Sequence, residues 1–66
     1  MKRATSAIER IATTSPAPLT KKQIKEMLAA EHFPEDRLGP YFYICIKRLK
    51  KGERIRVLDD GRVWKP

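Results

Sequence analysis

Apolar residues recur every three to four positions in the first three quarters of this chain and every second position near its end, so the pattern predicts helices followed by strands. Ile8, Ile11 and Ala12 form the first stripe. Ser6 and Glu9 have the S-x-x-E spacing of a capping box, in which the serine oxygen takes the N3 amide and the glutamate returns to the cap amide, so a first helix is expected from near Ser6. It starts earlier if Thr5 caps it or if Lys2-Arg3-Ala4 are ordered. It should end before Ser15-Pro16-Ala17-Pro18, because each proline disfavours helix in the residue before it.

The second helix has the clearest start. Thr20 and Gln23 form a T-x-x-Q box with Thr20 as N-cap, and Leu19 and Ile24 have the spacing of a hydrophobic staple. Ile24, Met27 and Leu28 should face inward as far as about Glu31, with Lys21, Lys22 and Lys25 turned elsewhere. Those lysines oppose the helix dipole at a cost of a few tenths of a kcal/mol each, roughly, and serve either solubility or phosphate contact. His32 is expected as a C-terminal cap or surface residue. The stretch His32 to Gly39 is long enough for a short helical turn.

Gly39-Pro40 then opens a third helix over about Pro40 to Lys51, with Gly52 as its stop and Lys50 and Lys51 well placed in the last turn. At 100° per residue Phe42, Cys45, Ile46 and Leu49 share the inner side, and Tyr43, Ile44, Lys47 and Lys51 the outer, with Tyr41 and Arg48 on one flank. Cys45 is read as a small buried hydrophobe.

Arg54-Ile55-Arg56-Val57-Leu58 and Arg62-Val63-Trp64-Lys65 have the residue types of paired strands around Asp59-Asp60-Gly61. A three-residue loop with Gly61 left-handed puts Ile55, Val57 and Val63 on one face; a two-residue Asp60-Gly61 loop pairs Val57 with Trp64 instead. Trp64 is either a lid holding the hairpin to the third helix or an exposed stacking platform.

With 66 residues the chain is expected to form one domain, residues 1–66, with one small core. The net charge of +7 favours polyanions, and eight of the fifteen basic residues fall between Lys47 and Pro66. One cysteine and one histidine supply neither an internal disulfide nor a zinc ligand set, so no metal or cofactor is expected. The longest apolar run, Tyr41 to Ile46, is far shorter than a membrane span, and no apolar stretch follows Met1-Lys2-Arg3 to make a signal peptide. A reducing cytoplasmic (nucleoid-associated) or nuclear location is expected, with no membrane and no small-molecule substrate. Scattered carboxylates, isolated glycines and the absence of a triad argue against an enzyme.

The order helix, proline-interrupted link, capped helix, turn, helix, Lys-Lys-Gly, strand, Asp-Asp-Gly, strand resembles the winged helix-turn-helix superfamily. The run Ile46-Lys47-Arg48-Leu49-Lys50-Lys51-Gly52-Glu53-Arg54-Ile55-Arg56 looks like the end of a recognition helix entering a first wing strand. The resemblance implies an α+β fold of three helices followed by a C-terminal β-hairpin wing. It also implies duplex DNA as partner, met by Tyr41, Tyr43, Ile44, Lys47, Arg48 and Lys51 on the third helix and by Arg56, Arg62 and Lys65 on the wing. Lys21 and Lys22 join them as candidate phosphate contacts. The turn before the third helix is longer than the superfamily's usual one, and that helix carries no outward Asn, Gln or Arg in its first two turns, so phosphate-dominated affinity with modest sequence preference is expected.

A small transcriptional regulator or DNA-associated accessory protein is the leading expectation. The alternative is a protein-interaction module, or a homodimer, using Tyr41, Tyr43 and Ile44 as an apolar-aromatic patch. RNA comes third, since the sequence offers no aromatic-rich sheet for stacking bases.

Overall fold

Thr14 is the last helical residue before the Ser15-Pro16 break, as the prolines require, and α1 spans Lys2–Thr14 in the computed structural model, which describes residues 2–33 and 38–66. The helix begins a full turn before Ser6, the earlier start expected if Lys2-Arg3-Ala4 are ordered. Ala4 and Ala7 are both buried and carry the stripe of Ile8, Ile11 and Ala12 toward the N-terminus. Ser6 is therefore an exposed residue inside the helix, and its S-x-x-E spacing caps nothing. Two alanines, too small to stand out in a hydrophobic pattern, moved the boundary.

α2 (Lys21–Ala30) starts where its capping box requires. The Gln23 N–H donates to Thr20 Oγ1 at 3.1 Å, and Gln23 Oε1 accepts from the Thr20 N–H at 2.8 Å. At its other end the His32 N–H donates to the Ala29 carbonyl and the Phe33 N–H to the Leu28 carbonyl, a Schellman pattern with His32 at φ 70°. Phe33 then packs on the core. Ile24 and Leu28 are buried, but Met27 is 44% exposed, against the expected inward stripe. On the helix wheel Met27 lies about 160° from Lys25, whose ammonium sits over the Phe42 ring, so Met27 is on the side away from the third helix.

α3 (Tyr41–Lys51) follows Pro40, which takes the N-cap position at φ −69°. Phe42, Cys45, Ile46 and Leu49 are all buried, as the wheel predicts. Gly52 is the C-cap at φ −81°, whereas the left-handed residue is Glu53, at φ 59°. The Glu53 N–H donates to Lys50 and the Arg54 N–H to Leu49, closing a second Schellman pattern. The expected helical turn between His32 and Gly39 falls largely on residues 34–37, outside the described residues.

β1 (Arg56–Val57) and β2 (Val63–Trp64) form an antiparallel pair in which Val57 faces Val63 and Arg56 faces Trp64. The loop is the three-residue one: the Leu58 N–H donates to Arg62 at 2.7 Å, the Gly61 N–H to Leu58 at 2.8 Å, and Gly61 has φ 91°. That register turns Ile55, Val57 and Val63 inward. Leu19 adds an unexpected third rung, bridging Val63 on the opposite edge of β2.

Trp64 is half-buried, and its indole N–H donates to the Ser15 carbonyl at 3.0 Å. It fastens the hairpin to the link after α1; the expectation that it ties the hairpin to α3 gives way to this bond. α1 packs on α2, α3 and β2, and the core between them centres on Phe42, Ile8, Ile24, Leu28 and Val63. The fold is α+β: three helices and a small two-stranded antiparallel sheet among the described residues. No helix among them is long and apolar enough to cross a membrane.

Candidate nucleic-acid interface

The first turns of α2 carry three lysines because the inward positions there are held by Ile24 and Leu28, leaving Lys21, Lys22 and Lys25 to the flank and outer side. These three line an open groove with Glu26 and Ala29 of the same helix and Tyr43 of α3. Within it, Lys25 Nζ donates to the Tyr43 hydroxyl at 3.0 Å and lies 4.7 Å from the Tyr43 ring centre and 5.1 Å from that of Phe42. The ammonium can only donate, so the phenol oxygen accepts here and its own proton is left to donate outward. Cation and ring attract one another as well. Tyr43 is thus anchored at its hydroxyl while half of its surface, 52%, remains in solvent.

Beyond Tyr43 the outer side of α3 presents Ile44, Lys47 and Lys51, all exposed, with no acidic residue anywhere in the helix. Lys50 points toward the hairpin and shares a surface hollow with Arg56 of β1. Sequence reasoning missed Lys50, and for Lys25, one of the three lysines read as serving solubility or phosphate contact, it missed the partner. Lys25 joins Tyr43 across two helices, which no spacing within one segment reveals, and Lys50 had been explained by the helix dipole alone.

Tyr41 and Arg48 are exposed but lie apart from that group. They border the groove between α1 and α3, beside Glu9 and Arg54, where Arg54 reaches the Glu9 carboxylate at 3.5 Å. The flank they occupy on the wheel is the one turned toward α1.

The hairpin tip is less cationic than its arginines suggest. Arg56 and Arg62 border a shallow hollow with Asp59 and Asp60. Asp60 Oδ1 accepts the Arg62 backbone N–H at 3.0 Å and Oδ2 accepts Arg62 Nε at 2.6 Å. The backbone N–H first, and then the guanidinium, hold the Asp60 carboxyl below the usual carboxylate range. Lys65 stands at the other end of β2, its ammonium 5.1 Å from the Trp64 ring centre.

Among the described residues no group of three His, Cys, Asp or Glu side chains could hold a metal ion. Cys45 is buried and accepts a hydrogen bond from Thr5 Oγ1 at 3.2 Å. Comparison with protein-family models, curated proteins and solved structures found no match to this chain.

Proposed function

We propose that this chain is a non-enzymatic DNA-binding module of winged helix-turn-helix type, serving as a small regulator or DNA-associated accessory protein. α2 and α3 are its helix-turn-helix, and the β1–β2 hairpin is its wing. The observation that carries this reading is the surface formed by Tyr43, Ile44 and Lys47 of α3, exposed on a helix without a single acid, beside Lys21, Lys22 and Lys25 of α2, which outnumber the Glu26 carboxylate in their groove. Lysines there neutralise phosphates, the Tyr43 hydroxyl donates to a phosphate oxygen, and Ile44 is suited to a thymine methyl. Without outward amides or arginines on that face, affinity is dominated by the backbone and sequence preference is modest.

Binding to a random-sequence duplex, followed by fluorescence anisotropy at 50 and 200 mM salt, tests the proposal. Neutralising about five phosphates weakens binding by roughly two to three orders of magnitude across that range. No binding at low salt, or binding indifferent to salt, rejects it.

A second reading, a protein-interaction module, draws on the exposure of Tyr41, Tyr43 and Ile44, at 44%, 52% and 42%. It requires that a Tyr43→Ala, Ile44→Ala double variant lose a protein partner while keeping DNA.

A further inference from the structure

We propose that the DNA path runs over the α2–α3 groove and the base of β1, and that Asp60 keeps the tip of the wing off the phosphates by occupying Arg62. This rests on the DNA-binding reading above and adds to it where the duplex lies and which residue limits the contact.

Two observations carry it. In the groove, Lys21, Lys22 and Lys25 meet Tyr43 from a neighbouring helix, and the Lys25 to Tyr43 bond uses the phenol oxygen as acceptor, so the hydroxyl of this half-exposed ring keeps its proton for a second partner. A phosphodiester presents acceptor oxygens and negative charge, and this groove presents donors and, with three lysines against the single carboxylate of Glu26, a net positive charge. Lys50 and Arg56 share the next hollow, at the junction of α3 and β1, with Glu53 as its one acidic side chain.

At the tip the arrangement is reversed. Arg62 is the cation nearest the turn, and its Nε and backbone N–H are both held by one carboxylate, at 2.6 Å and 3.0 Å. Asp59 adds a second negative charge beside it and borders the same hollow. A phosphate approaching the tip meets two acids that balance Arg56 and Arg62, the latter already engaged by Asp60, so the hollow offers no net positive charge and like-charge repulsion opposes the contact Arg62 would otherwise make. Arg56 lies on β1 opposite Trp64, farther from the turn, and carries the wing's share of the binding.

The Asp60→Asn change isolates the effect because it is isosteric. The amide oxygen still accepts the Arg62 N–H, which preserves the turn, while the charge that holds the guanidinium is gone. Anisotropy titrations of a random duplex compare the wild-type chain with Lys21→Gln/Lys22→Gln, Arg62→Ala, Asp60→Asn and Asp60→Asn/Arg62→Ala. Circular dichroism checks the fold of each.

The lysine pair is expected to weaken binding about tenfold and to lower the salt slope by about two, since two phosphate contacts are lost. Arg62→Ala alone should change affinity less than twofold. Asp60→Asn should tighten binding at least threefold, and Arg62→Ala in that background should remove the gain. A general effect of net charge predicts instead that Arg62→Ala weakens binding as much in the wild-type chain as in the Asp60→Asn background. That additive result overturns the proposal, as does an Arg62→Ala loss equal to that of the lysine pair, or no change on Asp60→Asn. A wild-type chain that fails to bind DNA rejects the functional reading itself, which the variants' ratios do not.

Discussion

Leu19 and Val63 exchange two backbone hydrogen bonds, 2.9 Å from the Leu19 N–H and 2.7 Å from the Val63 N–H, and so join the link before α2 to the last strand of the chain. The pair places Val63 between two neighbours, Leu19 on one edge and Val57 on the other. Two-residue strands are marginal alone, and this extra rung holds the hairpin against the helices. Leu19→Pro removes the N–H donor and leaves the Val63 carbonyl without its bond, whereas Leu19→Ala keeps the backbone and loses only side-chain contact. The proline variant is expected to be less stable than the alanine variant by about 1–3 kcal/mol, measured by urea unfolding. Equal stability of the two would mean the rung contributes nothing.

Much of this architecture was legible in the chain because local chemistry and tertiary packing agree there. Thr20 and Gln23 cap α2 with the atoms their spacing implies, and the inner four of α3 are buried together. Gly61 takes the left-handed position that a three-residue loop needs. What escaped the reading depends on residues remote in sequence or unremarkable in type. The Leu19 rung involves one residue, too few for a strand pattern, and Met27 is exposed because of where α3 lies, not because of its own helix; for α1 the earlier of the two starts left open holds, on the burial of two alanines. The site follows the same division. Positions on α3 were readable from a wheel, but the Lys25 to Tyr43 contact and the separation of Tyr41 and Arg48 toward α1 exist only once the helices are packed.

Glu53 holds a backbone conformation suited to glycine, while the neighbouring Gly52, at φ −81°, has one that any residue tolerates. A side chain at φ near +60° costs roughly 1–2 kcal/mol relative to an unstrained conformation. Glu53→Gly is therefore expected to stabilise the chain by about 1 kcal/mol, raising Tm by about 4–8 °C in a domain of this size. Gly52→Ala should be neutral or mildly stabilising, because the added Cβ would meet only ordinary contacts, the nearest being the Arg48 carbonyl oxygen at 3.5 Å. Thermal unfolding that ranks the two changes the other way would contradict the assignment of the strained residue.

Asp60 also gives stability a pH dependence. Its pKa is lowered in the folded chain from the ordinary 3.8, chiefly by the Arg62 backbone N–H, so between the two values the unfolded chain binds more protons. Stability consequently rises with pH through that window. The contribution is fully present well above pH 3.8 and is lost as pH falls through the folded value. In urea titrations between pH 2.5 and 6, the difference in stability between the wild-type chain and Asp60→Asn should favour the wild type more at the upper end than at the lower. A difference constant with pH would show that the carboxylate gains nothing from its partners on folding.

Affinity and salt slope separate the two kinds of contact proposed for α3. Lys47 is exposed and charged, so Lys47→Ala removes one phosphate neutralisation and should reduce the slope of log affinity against log salt by about one. Tyr43→Phe removes a hydroxyl and no charge. Because Tyr43 is half exposed, its stability should stay within about 0.5 kcal/mol of wild type, the range of ordinary surface substitutions. A hydrogen bond to a charged phosphate is worth roughly 1.5–3 kcal/mol, so DNA affinity should fall by about ten- to a hundredfold, with the slope unchanged. If Tyr43→Phe binds as wild type does, the ring serves only to position Lys25, and the phosphate is held by lysines alone.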